Sequence, residues 1–491
     1  MRHPDSESRV IWGLRDVHVI VSMIFACTLA CYFERMGFSI AFTELAKSAS
    51  LNEADKGTAM SAFFYGYAVM QLPGGWLSAR HGGARILGLS FALWGSISMV
   101  MPGTVHDGST TILMACRVAI GASQGLFIPA SHTLLAKWIP VHERSRLVTL
   151  AMSGMYLGSA LAMLFVPYIV EEFGPGMQFQ VSGLMALVWL TMWWRVGSDQ
   201  PPENGGGGGG SSSSGSHSPA HVEEGSMEAV PPFNKKEDPM PLLHSHGSHS
   251  SSSGAIGGAG GGVGRDSKHG RGCGKGDGGT GVPWGILIRS SAVWAIVTNN
   301  FAFHYATYVL MNWLPTYFQD HIGVGLSDMS NWYTVMPYVM MFLASNAGGS
   351  LGAWVHVSLG RSIVFSRKFV NTLGFSLAPL SLLLMPRATH WRDGVLYTTM
   401  ALSALGLSRG GWAVNHMDIA PRHAGVVMAI ANGAGTLAGV VGVSWTGNIL
   451  ESMGGSTEAV AWTVALGVVA FVCVSALVTF LFLARGNTLF H

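Results

Sequence analysis

An arginine interrupts one of the most apolar stretches of the chain. Arg117 lies within ILMACRVAIGASQGLFIPASHTLLAKW (112–138), a run otherwise apolar enough to sit in a lipid bilayer. A guanidinium at membrane depth costs at least about 2.5–3.5 kcal/mol on insertion scales, so it normally faces a protein interior or a water-filled cavity. Gln124 follows two helical turns later and shares the face of Arg117. The pattern favours a polar pathway for a substrate or ion; a buried structural ion pair is the alternative.

The composition of the whole chain is that of a polytopic membrane protein. Of its 491 residues, 49% are hydrophobic and only 11% are charged, far below the roughly one-quarter charged content of soluble domains. The net charge of +2 is too small to indicate a nucleic-acid partner. The five cysteines form no CxxC pair, so neither a disulfide framework nor a thiolate metal site is expected. No Walker loop, dinucleotide fingerprint or nucleophile–base constellation is present, so the chain is not expected to be an enzyme.

Apolar runs of about twenty residues predict twelve transmembrane helices in two groups of six. The predicted spans are 18–42, 57–79, 86–104, 111–137, 144–170, 177–197, 290–318, 331–356, 367–386, 394–417, 423–450 and 457–484. Two hydrophobic halves of equal span count indicate two bundles related by an axis along the membrane normal.

The halves are separated by a segment of different composition. Residues 201–283 are rich in Gly, Ser and His, which is typical of a disordered linker. The predicted organisation is a cytosolic N-terminus (1–17), an N-terminal six-helix bundle (18–200), the linker (201–283), a C-terminal six-helix bundle (284–485) and a tail (486–491). Loop Lys and Arg residues concentrate on the side of both termini and the linker, which predicts that this side faces the cytosol, or the stroma of a plastid.

Five segments carry a resemblance to a known family. They are ERMGFSIAF (34–42), FFYGYAVMQLPGGWLSARHGGARIL (63–87), RVAIGASQGLFIPASHTLLAKWIPVHERSR (117–146), NWLPTYF (312–318) and NHMDIAPRHAGVVMAIANGAG (415–435). The chain resembles the major facilitator superfamily and, within it, the anion:cation symporter family of sodium–phosphate cotransporters, sialin and vesicular glutamate transporters. It is most similar to the plant and algal phosphate/anion transporter branch. The resemblance implies an all-α fold of twelve helices in two six-helix bundles.

The resemblance also implies which residues hold the substrate. Arginines of the first and fourth helices bind the anion in this family, and they correspond to Arg35 and Arg117. Two guanidiniums in one bundle suit phosphate or carboxylate, since each can bind an oxyanion in bidentate fashion. Tyr67 and Gln124 are further cavity candidates. Glu34, next to Arg35 but about 100° around the helix, is expected to be a counter-ion, with a lipid-interface residue or a proton carrier as alternatives.

Three positions depart from the family pattern. Gln124 stands where a glutamate implicated in proton coupling is usual, and an amide cannot exchange a proton near neutral pH. Ala79 replaces a loop aspartate that latches one conformation. The basic residue expected in the seventh helix aligns with Phe303, and His304 follows it. His304 is interpreted either as an anion-binding proton site or as a structural residue bonded to its neighbours.

A further group of residues is assigned to gating or structure, and all of them except Glu34 lie near the predicted cytosolic ends of helices. Asp418 is expected to cap the next helix, to pair with Arg422 or to act in a gate between the halves. This group comprises Glu34, Arg85, Glu143, Arg144, Asn415, Asp418 and Arg422.

The predicted function is secondary active transport of an anion by alternating access, with inorganic phosphate as the favoured substrate. An organic-anion carrier for glutamate, ascorbate or another carboxylate is the first alternative, and a non-transporting anion sensor is the second. Sodium or proton coupling is implied by the resemblance, and no cofactor or metal is expected. The N-terminus resembles neither a signal peptide nor a transit peptide; a multi-pass, monomeric protein of a plastid envelope, a thylakoid or another membrane is expected.

Overall fold

A computed structural model describes residues 10–11, 14–101, 103, 109–139, 144–200, 284–420 and 424–489. Linker residues 201–283, together with Glu143 and Arg422, lie outside the described residues, as does the side chain of Arg144. The domain boundaries therefore stay a prediction.

Long α-helices make up nearly all of the described chain. Two short antiparallel strands, β1 (Val10–Ile11) and β2 (Leu14–Arg15), precede them. In the first half the helices are α1 (Asp16–Ser48), α2 (Glu53–His81), α3 (Gly83–Val100), α4 (Ser109–Gly125), α5 (Phe127–Trp138), α6 (Arg144–Phe173) and α7 (Pro175–Val196). In the second half they are α8 (Trp284–Arg289), α9 (Ser291–Thr316), α10 (Trp332–Val357), α11 (Ile363–Leu384), α12 (Trp391–Ile419), α13 (Ala424–Ser452) and α14 (Ala459–Leu483).

Short turns complete the second half. A π-helical turn covers Tyr317–His321, and 3-10 turns cover Ser327–Ser330 and Met385–Arg387.

The twelve predicted spans correspond to these helices. The fourth span is the pair α4 and α5, which are separated only by Leu126, and α8 is too short to cross a membrane. Seven spans are long and apolar enough to cross a bilayer by length and composition alone. The other five are 22–29 residues long, and about 20 residues suffice to span the hydrocarbon core. These helices confirm the predicted all-α fold class. Helices suit a lipid environment because they satisfy every backbone polar group internally.

Helix pairing repeats between the halves. In the first half α1 packs on α6, α2 on α4, and α3 on α7; in the second half α9 packs on α13, α10 on α12, and α11 on α14. When the six spans of each half are numbered from 1 to 6, both halves show the same three pairings: span 1 with 5, span 2 with 4 and span 3 with 6. The halves contact each other through α2 with α13, α6 with α10, and α1 with α9. The structure is therefore two six-helix bundles with a shared interface.

Candidate functional site

Four polar side chains form one buried network inside the first bundle. Arg35 Nε donates to Gln124 Oε1 at 3.0 Å, and Gln124 Nε2 donates to Glu34 Oε2 at 3.0 Å. Glu34 Oε1 accepts from Arg117 Nη1 and completes an ion pair. None of the four side chains is more than 4% exposed. Three of the substrate-binding residues predicted from the sequence, Arg35, Arg117 and Gln124, are thus brought together with Glu34 by α1 and α4.

Arg35 lies in a cage of aromatic rings. Its guanidinium carbon lies 4.8, 4.6 and 4.7 Å from the ring centroids of Tyr32, Phe63 and Tyr67. Such cation–π contacts contribute about 2 kcal/mol or more when desolvated. Its Nη1 and Nη2 have no hydrogen-bond partner among the described residues. Arg35 therefore keeps its charge and two donors uncommitted, as an anion ligand would, and Tyr67 forms part of the wall of its cage.

Arg117 is held differently from Arg35. Its charge is paired with Glu34, and its guanidinium carbon lies 3.7 Å from the ring centroid of Phe38. Glu34 is a counter-ion, as expected, but its partner is Arg117 on another helix rather than the adjacent Arg35. The structural ion pair named as the alternative for Arg117 is therefore present. Direct contact of Arg117 with the anion stays a prediction.

The amide of Gln124 suits its position because it carries both an acceptor and donors. The oxygen faces Arg35 while the nitrogen faces Glu34. A glutamate here would set a second carboxylate against Glu34. Glu34, on α1, is therefore the carboxylate of this network.

Close contact between the backbones of α2 and α4 positions Arg117 and Gln124, which both lie on α4. A Cβ atom on Gly66 would lie 1.9 Å from the Val118 carbonyl oxygen, and one on Gly121 would lie 1.9 Å from that of Phe63. Only glycine permits these two backbones to approach so closely. The two cage residues on α2, Phe63 and Tyr67, are thereby held against the arginine network.

His304 lies at the interface between the halves, on α9. Its Nδ1 donates to the Asn300 carbonyl oxygen at 2.9 Å, and its ring centroid lies 5.2 Å from that of Tyr308. One ring nitrogen is therefore used within its own helix, as the structural interpretation requires, and Nε2 is left to accept. The side chain is half-buried. Its role as an anion ligand or proton site stays a prediction.

Of the gating candidates that the structure describes, Glu34 belongs to the buried network, and the others lie at the predicted cytosolic end. Asp418 pairs with Arg367 through two contacts of 2.9 and 3.3 Å. Asn415 Nδ2 donates to the carbonyl oxygen of Arg485, which ties the C-terminal tail to α12. Arg85 is exposed at the start of α3. The described contacts of Asp418 and Asn415 stay within the second half, so they support a structural role there.

Ala79, which was predicted in the loop between the second and third helices, lies instead in the last turn of α2, and a carboxylate from elsewhere lies beside the turn between α2 and α3. Asp199, after the end of α7, accepts a hydrogen bond from Ala84 N at 2.9 Å. Gly82 has a φ of +93° and leaves no room for a Cβ beside this carboxylate. The start of α3 is thus capped from the end of the sixth span, which the sequence reading did not anticipate.

Three polar side-chain pairs between α1 and the α9 segment join the halves at the end opposite the termini. These pairs, here called the polar ladder, were also not predicted from the sequence. Ser39 Oγ donates to Asn312 Oδ1 at 3.2 Å, Thr43 Oγ1 lies 3.4 Å from Thr316 Oγ1, and Lys47 Nζ lies 2.9 Å from Asp320 Oδ1. All three pairs are separated by 273 residues. Successive rungs are four residues apart on α1 and on the α9 segment, so each helix presents one continuous face.

Neighbouring residues extend this closure. Ser456 Oγ lies 2.7 Å from Asp320 Oδ2 and 2.9 Å from Glu53 Oε1, and Glu53 pairs with Lys56. Lys47 and Lys56, both at this end, are thus paired with carboxylates.

We expect Asp320→Asn to open this end more often, because it removes the charge that holds Lys47. A partly exposed ion pair contributes about 0–1 kcal/mol, so labelling of a Met36→Cys reporter, which is buried between the halves and outside the ladder, by a membrane-impermeant maleimide should accelerate about twofold to fivefold. Glu44→Gln is the matched control, since Glu44 lies 3.8 Å from Lys47 Nζ within the same helix. Equal acceleration by both substitutions would contradict a closing role for the ladder.

Among the described side chains, no cluster of three His, Cys, Asp or Glu residues could hold a metal ion. The network itself consists of two buried arginines, one carboxylate and one amide beside aromatic rings.

The chain is similar to a known family and to several known proteins. The family profile described as Major Facilitator Superfamily matches residues 24–443. The chain is 37% identical to Probable anion transporter 5 of Arabidopsis thaliana over 477 residues, covering 96% of this chain and 98% of that one. It is 29% identical to Sodium-dependent phosphate transport protein 1, chloroplastic, of the same plant over 433 residues (88% and 73%), and 29% identical to its Ascorbate transporter, chloroplastic, over 436 residues (88% and 70%).

Solved structures share the fold. A bacterial homologue of the human lysosomal transporter Spinster, inward-facing and occupied, superposes with a TM-score of 0.66 at 13% identity, covering 96% of this chain and 97% of that one. The inward-open xylose transporter XylE of E. coli superposes with a TM-score of 0.61 at 14% identity, covering 96% and 98%.

Proposed function

Because the chain belongs to the Major Facilitator Superfamily, we propose that it is a secondary active transporter that carries a small anion across its membrane by alternating access. The observation that carries the proposal is Arg35, which is buried and charged and has two donors without a described partner. A buried guanidinium with free donors is costly unless a ligand completes it. An anion arriving between the halves would supply that ligand.

Inorganic phosphate is the favoured substrate. Its several oxygens suit the paired Nη donors of a guanidinium, which bind oxyanions in bidentate fashion. A relative named for sodium-dependent phosphate transport supports this choice. A relative named as an ascorbate transporter supports the alternative, an organic anion such as ascorbate, glutamate or another carboxylate.

The contacts between the halves support an alternating-access cycle. The polar ladder and the Ser456 cluster join the halves at the end opposite the termini. At the predicted cytosolic end, the described bonds of Asp418 and Asn415 remain within one half. This pattern supports a state closed on the far side, from which the anion site is reached from the cytosolic side.

Glu34 is the candidate for coupling to protons. It is the carboxylate of the buried network, and it faces both Arg117 and Gln124. Protonation would release Arg117 from its counter-ion and add a positive charge to the anion site. Sodium coupling is the alternative.

The proposed location of the protein is based on its helices and on the names of its relatives. The multi-pass helices place the chain in a membrane, and relatives named chloroplastic support a plastid membrane. A monomer is proposed, since the anion site is formed within one chain.

The test is uptake of radiolabelled phosphate into proteoliposomes containing the purified protein, with and without a proton or sodium gradient. Gradient-stimulated uptake is expected for the wild type. No phosphate uptake by folded protein, with uptake of glutamate or ascorbate, would identify an organic-anion carrier. Thermal stabilisation by these anions without any flux would identify a sensor.

Coupling is tested in the same vesicles with Glu34→Gln, which removes the exchangeable carboxyl group and keeps both Arg35 and Arg117. We expect phosphate exchange to persist while stimulation by a proton gradient falls at least about tenfold, because the exchangeable carboxyl is gone. Undiminished proton-driven uptake in this variant would contradict coupling through Glu34.

A further inference from the structure

A third arginine lies at membrane depth, in the second bundle. Arg409 is about ten residues, or about 15 Å, from the predicted cytosolic end of α12. Its Nη1 donates to the hydroxyl oxygen of Tyr156, which belongs to α6 of the other half. Its guanidinium carbon lies 5.5 Å from the ring centroid of Phe303, the position at which the family resemblance places a basic residue. Among the described residues, the ion pairs do not include Arg409.

Arg409 is the internal-repeat counterpart of Gln124. The fourth span contains GASQG (121–125), and the tenth contains GLSRG (406–410). Both segments pack against the second helix of their own bundle. A Cβ on Gly121 would lie 1.9 Å from the carbonyl oxygen of Phe63, and one on Gly406 would lie 2.7 Å from that of Met341. The repeat therefore places Arg409 in its bundle where Gln124, a member of the arginine network, lies in the first.

A run of aromatic contacts leads from Arg409 to the α2 helix, which supplies part of the Arg35 cage. Phe303, over which Arg409 lies, has its ring centroid 5.3 Å from that of His304, and the His304 ring lies 5.2 Å from that of Tyr308. The Tyr308 ring lies 4.6 Å from that of Phe64 on α2. One arginine comes from each half, so the region between them lies at the interface that must open and close.

The charge balance of this region is positive. The central parts of the described spans carry Arg35, Arg117 and Arg409 against the single carboxylate Glu34. Because Glu34 is paired with Arg117, the two remaining positive charges have no counter-ion there. Such a charge at membrane depth is costly without a ligand.

We infer that Arg409 is the anion ligand of the second bundle, and that the substrate is a dianion such as hydrogen phosphate held between Arg35 and Arg409. This inference rests on the proposed function. The dianion would neutralise both guanidiniums and bridge the two halves, so that its binding favours their closure. Arg409 thereby supplies from the tenth helix the positive charge that Phe303 lacks in the seventh.

The test is the phosphate concentration that gives half-maximal thermal stabilisation of purified protein in detergent, measured for the wild type and for Arg409→Gln. Glutamate and ascorbate are measured in parallel. We expect Arg409→Gln to raise the required phosphate concentration about 10- to 100-fold, as for loss of one charge-assisted contact. Arg392→Gln, an exposed arginine of the same helix, should leave it unchanged.

Tyr156→Phe separates ligand binding from a structural role. It removes the hydrogen bond that Arg409 donates but keeps the guanidinium, so phosphate affinity should change less than about threefold if Arg409 binds the anion. An equal loss in Tyr156→Phe and Arg409→Gln would overturn the inference, as would an unchanged affinity in Arg409→Gln. A wild-type protein that responds to no anion would overturn the proposed function as well.

Discussion

Replacing Arg117 alone with glutamine is expected to lower the free energy of unfolding by about 3–5 kcal/mol, because it leaves the Glu34 carboxylate buried without its partner. Both side chains are almost fully buried, at 2% and 4% exposure. Gln124 still donates one hydrogen bond to Glu34, which cannot replace a full positive charge. The measurement is the thermal melting temperature of the purified protein in detergent.

The double substitution Glu34→Gln and Arg117→Gln is the control for this prediction. Replacing both members of a buried ion pair with neutral groups is often nearly neutral in stability, so most of the lost stability should return. If the double variant is as unstable as the single one, Arg117 contributes through packing against Phe38 rather than through its charge. That result would contradict the ion-pair account.

Arg35 and Arg117 look equivalent in the sequence, but the structure gives them different surroundings. Both interrupt apolar runs, and both therefore mark a polar interior. Their difference lies in what surrounds them, since Arg117 is paired with Glu34 and Arg35 keeps two donors uncommitted. Helical periodicity relates residues on one helix, as it did for Arg117 and Gln124. It carries no information on partners 83–90 residues away on another helix.

The twelve spans were accessible from the sequence because hydrocarbon imposes a length and an apolar composition on each helix. The ladder was not, since Ser39 and Thr43 are ordinary residues in an apolar helix until the α9 face lies opposite them. The sequence did not mark Arg409 as a candidate ligand, because its neighbours in SRGG (408–411) are small residues typical of close helix packing. Its significance depends on the interface with Tyr156, which only the assembled halves reveal.

Replacing Arg35 with lysine is expected to weaken anion binding by at least about 100-fold while changing thermal stability much less. The ammonium keeps the positive charge, but it cannot present two parallel donors to one oxyanion. It also loses planar contact with the rings of Tyr32, Phe63 and Tyr67. Anion-dependent stabilisation and phosphate exchange in proteoliposomes measure the effect.

Arg80→Lys is the matched control, because Arg80 also lies over an aromatic ring, that of Trp76, but at the exposed end of α2. Undiminished phosphate affinity in Arg35→Lys would show that charge alone suffices at this position, and that the uncommitted Nη donors do not hold the anion.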